Sequence, residues 1–311
     1  MRVLVTGGAG FIGSHVVQQA LEAGLDVAVL DNFSSGKRTR VPAGVRIFEA
    51  DLRDRSATAR ALSAFAPQLV SHQAAQISVV ASLNEPLVDA EINVMGGLNL
   101  LEACASSRVR HVVFASSGGA IYGEVPAGQR ADERASTDPR TPYGIHKLAF
   151  ERLLDVYRES RGISSSVLRY ANVYGPRQAA RGEAGVVAVF FARALSGQPL
   201  SVYGQKSPGD GGCVRDYVFV GDVARANVAA LTGALPEPLL NVGSGRATST
   251  EALARLVGEV CERPVSLSHA SPRHGDVERS LLDVTRLEAA LGPATPLESG
   301  LRQSAAWYRA S

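Results

Sequence analysis

The sequence predicts an α/β fold, a doubly wound parallel sheet with a smaller, mixed lobe towards the carboxyl end. Through the first half of the chain, short apolar runs alternate with amphipathic stretches of helical period. This alternation is typical of a parallel sheet that is covered by helices on both faces. In addition, the first apolar run, Arg2–Thr6, leads into a glycine-rich turn and then into a helical stretch. Because crossovers between parallel strands are almost always right-handed, we expect the doubly wound topology.

Periodicity places the individual elements along the chain. We expect strands at residues 2–6, 26–31, 45–49, 68–72, 111–117 and 167–170. We expect helices at residues 14–23, 56–65, about 88–107 and 143–160. Beyond Asn172 the chain is richer in loops of glycine and proline, so we divide it into a first domain, 1–172, and a second lobe, 173–311. A helix and a short strand within residues 218–241 are candidates to return to the first domain.

Composition and charge argue against several classes of function. The 311 residues carry a net charge of +2, so nothing favours binding to nucleic acid or to an anionic membrane. The sequence contains no apolar run long enough to span a bilayer. The three cysteines are scattered without the spacing of metal ligands, so we expect no metal and a cytoplasmic, reducing setting.

The turn after the first strand is the first motif that carries chemistry. Gly7 permits a tight turn, Gly10 lets the backbone approach a pyrophosphate, and Gly13 allows a helix to pack closely on a strand. Asp31 ends the next strand, where a carboxylate accepts hydrogen bonds from ribose hydroxyls and repels a 2′-phosphate. The sequence therefore predicts a dinucleotide site that prefers NAD, although the basic pair at 37–38 leaves NADP open. A purely structural glycine turn is the alternative interpretation.

A second motif places a phenol and an ammonium on one helix face. Tyr143 and Lys147 are separated by about one helical turn, so their side chains lie on the same side. A free tyrosine has a pKa of about 10 and is a poor base at neutral pH. A nearby ammonium and a positive nicotinamide ring would lower that pKa and favour the phenolate. On most helices such a pair is simply exposed to solvent and has no function. In a chain with a dinucleotide-binding fold, it predicts redox chemistry.

These motifs resemble those of the extended short-chain dehydrogenase/reductases, a Rossmann-fold family, and within it the UDP-glucose 4-epimerases of the NAD-dependent epimerase/dehydratase group. The two signatures are TGGAGFIG at residues 6–13 and YGIHK at residues 143–147. The most specific local match is DNFSSGKR at residues 31–38. Further matches are INV at 92–94, RYAN at 169–172, VRDY at 214–217 and RHGD at 273–276. The resemblance runs over nearly the whole chain.

The resemblance implies NAD as the cofactor and assigns residues to its two halves. The adenosine and pyrophosphate half would contact Phe11, Ile12, Asp31, Asn32, Ser35, Gly36, Asp51 and Leu52. The other half would be lined by Gln73, Ala74, Ala75 and Gln76, backed by Asn93, with Tyr170 near the nicotinamide. From the sequence alone, Asp51 reads equally well as the N-cap of a helix.

The resemblance also implies a UDP-sugar as the substrate. Its nucleotide would be held by Asn172, Arg215, Arg273 and Asp276. These residue types suit the role, since arginine pairs with a diphosphate and a carboxylate accepts from ribose hydroxyls. Relatives restricted to glucose carry a bulky tyrosine at the position of Ser280, where a small side chain leaves room for an N-acetyl group. We therefore expect UDP-GlcNAc to be accepted beside UDP-glucose and UDP-galactose.

The segment after the fifth strand carries the third catalytic group. Relatives place a serine or threonine hydroxyl where this chain has Gly118, so we predict that Ser117 takes the role, with Ser116 in reserve. The alternative interpretation is that both serines only end the strand and have no catalytic role. Sugar dehydratases and decarboxylating relatives carry acidic residues here, whereas residues 118–120 offer none. The resemblance therefore implies 4-epimerisation through a transient 4-keto sugar, with Tyr143 taking the proton of the 4-hydroxyl.

Other functions stay open from the sequence. One is 4-epimerisation of a different nucleotide sugar such as UDP-glucuronate, and another is net dehydrogenation that consumes free NAD. A non-catalytic NAD sensor is a third, although such proteins often lose the tyrosine or the lysine. The family also implies a homodimer, for which helices 88–107 and 143–160 are the candidate interface.

Overall fold

The computed structural model describes residues 1–180, 185–204, 210–271 and 277–310. The strands in chain order are β1 Arg2–Thr6, β2 Asp26–Asp31, β3 Arg46–Glu49, β4 Leu69–His72, β5 His111–Ser117, β6 Ser164–Tyr170, β7 Asn172–Tyr174, β8 Leu200–Tyr203, β9 Val214–Phe219, β10 Leu239–Val242, β11 Ala247–Ser249, β12 Leu267–Ala270 and β13 Arg279–Ser280. The α-helices are α1 Phe11–Glu22, α2 Arg55–Phe65, α3 Val79–Asn84, α4 Pro86–Ala90, α5 Gly96–Ala105, α6 Gly118–Ile121, α7 Pro142–Arg161, α8 Val186–Leu195, α9 Val220–Thr232, α10 Thr250–Cys261, α11 Thr285–Leu291 and α12 Leu297–Ala310.

The main sheet has seven strands in the order β10-β6-β5-β4-β1-β2-β3. Every neighbouring pair in it is parallel, and the order reverses at β1, so the predicted α/β doubly wound fold is confirmed. The strand β10 joins the free edge of β6 after the helix α9, which places the 218–241 segment against this sheet. The division of the chain into two domains remains a prediction.

Helices cover both faces of this sheet because its strands bury both sides. Within β1, Val3 and Val5 pack into the core that includes α1 and α9, whereas Leu4 packs into the core that includes α2, α5 and α7. Alternate residues of a strand point to opposite faces, so a continuous apolar run marks a strand that is buried on both. This arrangement brings the carboxyl ends of the strands to one open edge.

Two of the predicted elements begin three residues away from where the structure places them. The helix α1 begins at Phe11, directly after the glycine turn, and not at residue 14. The strand β6 begins at Ser164, ahead of the predicted 167, because the hydroxyls of Ser164 and Ser166 hydrogen-bond the ring of His111 on the neighbouring strand. These bonds give the polar side chains at the start of β6 hydrogen-bond partners. A prediction based on apolar runs did not include these residues in the strand.

The predicted single helix over 88–107 is wrong in detail. The region contains the end of α4 and all of α5, with a π-helical turn at Glu91–Met95 between them, and the separate helix α3 precedes α4. Pro86 begins α4, since proline cannot continue a preceding helix but fits a first turn. Asn93 lies in the π turn, and such turns often occur at functional sites.

The remaining described residues form a smaller lobe beside the open edge. One small sheet pairs β11, β9 and β13, with β7 on β9, and a second pairs β12 with β8. Helices α8, α10 and α12 contribute to a third apolar core with these strands. Because β7 follows β6 after one residue, the lobe is connected directly to the carboxyl edge of the main sheet. None of the helices in the described ranges is long and apolar enough to cross a membrane.

Candidate active site

A groove of about 370 Å³ lies along the carboxyl ends of β1, β2 and β4. Most of the residues predicted to hold a dinucleotide line it. They are Gly7, Gly10, Phe11, Ile12, Gly13, Asp31, Asn32, Ser35, Asp51, Leu52, Gln73, Ala74, Ala75 and Gln76.

The glycine turn leaves no room for side chains. A methyl group at Gly7 would lie 2.7 Å from the nitrogen of Ala74, and Gly7 has a φ of +67°, which other residues rarely adopt. A methyl group at Gly13 would lie 2.1 Å from the carbonyl oxygen of Gly7. The helix α1 begins here with no capping side chain and no acid in its first turn. Its first N–H groups therefore remain suited to an anion, and the turn fits the pyrophosphate of NAD.

Asp31 lies where the resemblance places the adenosine ribose. It is 6% exposed, and its two oxygens accept from the backbone N–H groups of Ala9 (2.9 Å) and Phe33 (2.8 Å). These bonds fix the carboxylate at the rim of the groove. A methyl group at Gly36 would lie 2.8 Å from Oδ1 of Asp31, so the loop after β2 closes on the acid. The nearby Arg38 lies over the Phe33 ring and is ion-paired with a glutamate on β3, which argues for NAD over NADP.

Asp51 contributes to the groove and does not cap a helix. The N-cap of α2 is Asp54, which accepts from the N–H of Ala57, so the alternative interpretation of Asp51 is wrong. Asp51 accepts from Asn32 Nδ2 at 2.9 Å and pairs with Arg53. Hydrogen bonds from Arg53 are the main reason that the pKa of Asp51 lies well below its usual range.

The segment after β4 is held by hydrogen bonds from behind. Asn93 accepts from the backbone N–H of Gln76 and donates to its carbonyl, both at 3.0 Å. The Nε2 group of Gln73 donates to Asn227 Oδ1 at 2.9 Å, and Asn227 donates to the hydroxyl of Tyr170 at 2.7 Å. Asn93 therefore supports the groove without lining it, and Tyr170 lies against the same support.

A second cavity of about 360 Å³ adjoins the groove, sharing Phe11, Ile12 and Ile77 with it. Tyr143, Ser117, Ser116, Tyr170, Asn172 and Arg215 are among the residues that line it. The helix α7 presents Tyr143 here, because Thr141 caps the helix and Pro142 occupies its first position. No aspartate or glutamate among the described residues lines this cavity.

Burial is the main influence on the pKa values of Tyr143 and Lys147. Burial raises the pKa of Tyr143 to about 12, and the hydrogen bond with Ser117 only partly opposes it. Burial also lowers the pKa of Lys147 to about 8. The ammonium of Lys147 donates to the carbonyl of Ala115 at 2.9 Å and lies 5.8 Å from the Tyr143 ring centroid. Burial therefore outweighs any effect of the ammonium on the pKa of Tyr143.

The two serines at the end of β5 have different partners. Ser117 lines the same cavity as Tyr143, and its hydroxyl is close enough to the phenol to lower the pKa of Tyr143. The hydroxyl of Ser116 donates to Glu151 at 2.6 Å, and Glu151 is ion-paired with the buried Arg169. Ser117 is thus the serine beside the phenol. At Gly118, a methyl group would lie 2.7 Å from the Leu282 side chain, so packing excludes a side chain at the position that carries the hydroxyl in relatives.

A third cavity of about 260 Å³ continues from the second and shares Asn172, Val186, Arg215 and Tyr217 with it. Arg215 Nη1 donates to two backbone carbonyls, and Asn172 Nδ2 donates to the carbonyl of Asp216. The predicted substrate residues Arg273 and Asp276 lie outside the described residues. Ser280 is buried, and its Oγ lies 4.0 Å from where a Cβ on Gly119 would be.

Two residues of the site were not predicted from the sequence. Arg193 lines the third cavity, and its buried Nε has no hydrogen-bond partner among the described residues. Asn227 is fully buried and bonds both Gln73 and Tyr170. A polar residue on an otherwise apolar helical stretch is the only signal that could have identified either one.

Comparison with known proteins agrees with this geometry. The sequence profile described as the NAD dependent epimerase/dehydratase family matches residues 3–243. A UDP-glucose 4-epimerase of Mycolicibacterium smegmatis is 40% identical over 316 aligned residues, which cover 99% of each chain. The NAD complex of the UDP-glucose 4-epimerase of Thermus thermophilus is 51% identical, with a TM-score of 0.96 over 100% of both chains.

A further solved structure contains a nucleotide sugar. It is the UDP-glucose 4-epimerase of Thermotoga maritima with UDP-glucose, 42% identical, with a TM-score of 0.93 over 100% of this chain and 99% of that one. The match of the profile extends over most of the chain, and the relatives align along its full length. The chain belongs to the NAD dependent epimerase/dehydratase family, as its motifs predict.

Proposed function

We propose that the protein is an NAD-dependent UDP-hexose 4-epimerase that interconverts UDP-glucose and UDP-galactose. The observation that carries the proposal is the pair formed by Tyr143 and Ser117 in the second cavity, which adjoins the groove. A dinucleotide in the groove and a sugar in the cavity would meet at this phenol. The UDP-glucose and NAD complexes of the related epimerases support the same pairing of ligands.

The proposed chemistry needs one proton acceptor and a cavity without acids. Tyr143 takes the proton of the sugar 4-hydroxyl, and Ser117 holds the phenol and the hydroxyl in line. The chemistry supplied by bound NAD is reversible hydride transfer, and its positive ring would lower the pKa of Tyr143. No aspartate or glutamate of the described residues lines the sugar cavity, which favours epimerisation over elimination of water from the 4-keto sugar. The ketone therefore turns and is reduced on its other face, with no net oxidation.

The third cavity suits the uridine diphosphate. Arg215 lies between the second and third cavities, where a diphosphate that joins the sugar to the uridine would pass. Arg193 also lines the third cavity, so its guanidinium supplies a second positive charge for the diphosphate. By family resemblance, Arg273 and Asp276 complete this set, and Asn172 contacts the sugar phosphate.

Small residues around the sugar cavity support a broader substrate range. Gly119 and Ala120 line the cavity, and Ser280 lies directly behind Gly119. The small residues on this side of the cavity favour acceptance of an N-acetyl group, so UDP-GlcNAc is a second substrate in the proposal. UDP-glucuronate is less favoured, because the lining residue Arg140 is paired with Asp138 and its side chain is 65% exposed.

A homodimer is part of the proposal. Large apolar side chains are exposed on the helical segment after β4 and on α7, namely Leu87, Val88, Met95, Ile145 and Val156. Exposed apolar residues grouped on neighbouring helices are typical of an interface, and a second copy of the chain would cover them. Sedimentation equilibrium of the wild type and a Leu87→Glu variant tests this part.

The proposed function is tested by following inversion at C4 without added NAD. Purified protein is incubated with UDP-glucose, UDP-GlcNAc and UDP-glucuronate in parallel, and the products are separated. We expect turnover of the first two from the NAD that the protein retains. Tyr143→Phe should reduce turnover by at least about 10³-fold while NAD stays bound, since it removes only the proton acceptor. Wild-type turnover in Tyr143→Phe, or inversion that requires stoichiometric NAD, would contradict the proposal.

A further inference from the structure

The acid Asp89, in α4, has no part in the chemistry described above. Only 1% of its surface is exposed. A buried carboxylate is costly unless it is paired and hydrogen-bonded, so its partners indicate why it is there.

One oxygen of Asp89 holds the loop that lines the cofactor groove. Oδ1 accepts from Gln76 Nε2 at 2.6 Å. The backbone of Gln76 is bonded on both sides by Asn93, from the π turn that follows α4. Gln76 is therefore fixed through its side chain and its main chain by one continuous helical segment.

The other oxygen of Asp89 reaches the catalytic helix. Nδ1 of His146 lies 2.5 Å from Oδ2 of Asp89. His146 lies in α7 beside Lys147, one turn from Tyr143, and its side chain is 18% exposed. A single buried carboxylate thus joins the loop of the cofactor groove to the helix that carries the phenol.

We propose that Asp89 and His146 are positioning residues, which hold the Gln76 loop and the Tyr143 helix in a fixed relation for the proposed reaction. Neither residue lines the groove or the adjoining cavities, so both act through their neighbours. The inference rests on the proposed function for its kinetic readout alone, because binding of NAD can be measured without turnover.

The charge of Asp89 predicts an effect on the pH dependence of the reaction, which a purely structural role would not produce. Burial is the main cause of the raised pKa of Tyr143, and the charge of Asp89 adds to it. For Lys147, burial lowers the pKa, and the charges of Asp89 and Glu151 oppose that effect. His146 is the residue that faces Asp89 directly, and His72 is a further titratable group near Lys147.

The first test is Asp89→Asn in the NAD-loaded enzyme. The amide keeps the shape and one acceptor for Gln76, but it removes the charge. We expect the pH midpoint of the rise in kcat to move to lower pH, on the order of half a pH unit, because the pKa of Tyr143 falls. The KM for UDP-glucose should stay unchanged. Glu91→Gln is the matched control, since it removes a nearby carboxylate whose side chain is 60% exposed, and it should leave the midpoint unchanged.

The second test measures positioning without turnover. Asp89→Ala removes both bonds, so NAD titrated into cofactor-stripped protein should bind about tenfold more weakly, as expected for the loss of one charged hydrogen bond. His146→Ala keeps the bond to Gln76 and should retain NAD affinity while kcat falls. If Asp89→Ala does not fold, His146→Ala and Asp89→Asn still test whether the two residues position the Gln76 loop and the Tyr143 helix.

The outcomes separate the positioning role from the proposed function. Wild-type pH midpoint in Asp89→Asn together with wild-type NAD affinity in Asp89→Ala would overturn the positioning role. If the wild type binds NAD but does not invert C4 of any UDP-hexose, the proposed function fails, and NAD affinity in Asp89→Ala still tests the pair.

Discussion

The two ends of the candidate site are built in different ways. The cofactor groove is formed by the backbone of one glycine turn and by strand ends that are neighbours in the main sheet. The nucleotide-sugar end draws long side chains from separate elements, Arg193 from α8 and Arg215 from β9. The groove depends on glycines, where any side chain would collide with the neighbouring backbone. The nucleotide-sugar end depends on positively charged side chains that extend to the third cavity. We therefore expect abrupt losses from changes at the groove and graded losses at the sugar end.

The largest effect is expected for Gly13→Ala. The added methyl would lie 2.1 Å from the carbonyl oxygen of Gly7, whereas a methyl at Gly10 would lie 3.0 Å from the same atom. Gly13→Ala should therefore abolish NAD retention and lower the free energy of unfolding by about 1–3 kcal/mol or more. Gly10→Ala should be milder on both counts. NAD content is measured after purification, and the free energy of unfolding is measured by chemical denaturation. Equal NAD content in the two variants would contradict the view that steric exclusion at the glycine turn controls NAD binding.

An intermediate effect is expected for Ser117→Ala, at the boundary of the two regions. Loss of the hydroxyl should reduce kcat by about 10²-fold without loss of NAD. The hydrogen bond from this serine lowers the pKa of Tyr143, so its removal raises that pKa, and the rise in kcat moves to higher pH. A pH–rate profile measures the shift.

Ser116→Ala is the matched control for that variant. It removes one donor to Glu151, which keeps its bonds from Arg169. We expect a loss of about 1 kcal/mol in the free energy of unfolding and no shift of the pH profile. A larger loss of kcat in Ser116→Ala than in Ser117→Ala would reverse the assignment.

The smallest effect is expected for Arg193→Ala. The KM for UDP-glucose should rise by about tenfold, the usual size for one charge-assisted hydrogen bond, while kcat and NAD retention stay unchanged. Arg255→Ala is the control, because that arginine lies on α10, is paired with Glu251 and is 63% exposed. An unchanged KM in Arg193→Ala would show that its guanidinium does not contact the substrate.

The residues that line the groove could be predicted from the sequence almost one by one, because their signals are local, whereas their contacts with NAD stay a prediction. The glycine turn directly follows β1, and Asp31 ends β2. The spacing of Tyr143 and Lys147 is set by one helical turn. Backbone geometry over short distances depends mainly on the residues themselves, so it can be read from the sequence. The same holds for the alternation of apolar runs that indicated the parallel sheet.

Other features depended on contacts that no local pattern encodes. The choice between Ser117 and Ser116 followed from where β5 ends, since successive side chains of a strand point in different directions. The π turn that positions Asn93 interrupts what the periodicity indicated as one helix. Burial raises the pKa of Tyr143, and no local pattern shows how deeply the phenol lies; the lowering by Lys147 together with a nicotinamide ring stays a prediction.

The sequence by itself determined the doubly wound fold, the dinucleotide turn and the tyrosine–lysine pair, because each follows from spacing along a single strand or helix. Only the tertiary structure decided which serine meets Tyr143, how Asn227 and Asp89 support the groove, and that Arg193 reaches the third cavity. These contacts join residues far apart in the chain, and their geometry is set when the helices and strands pack.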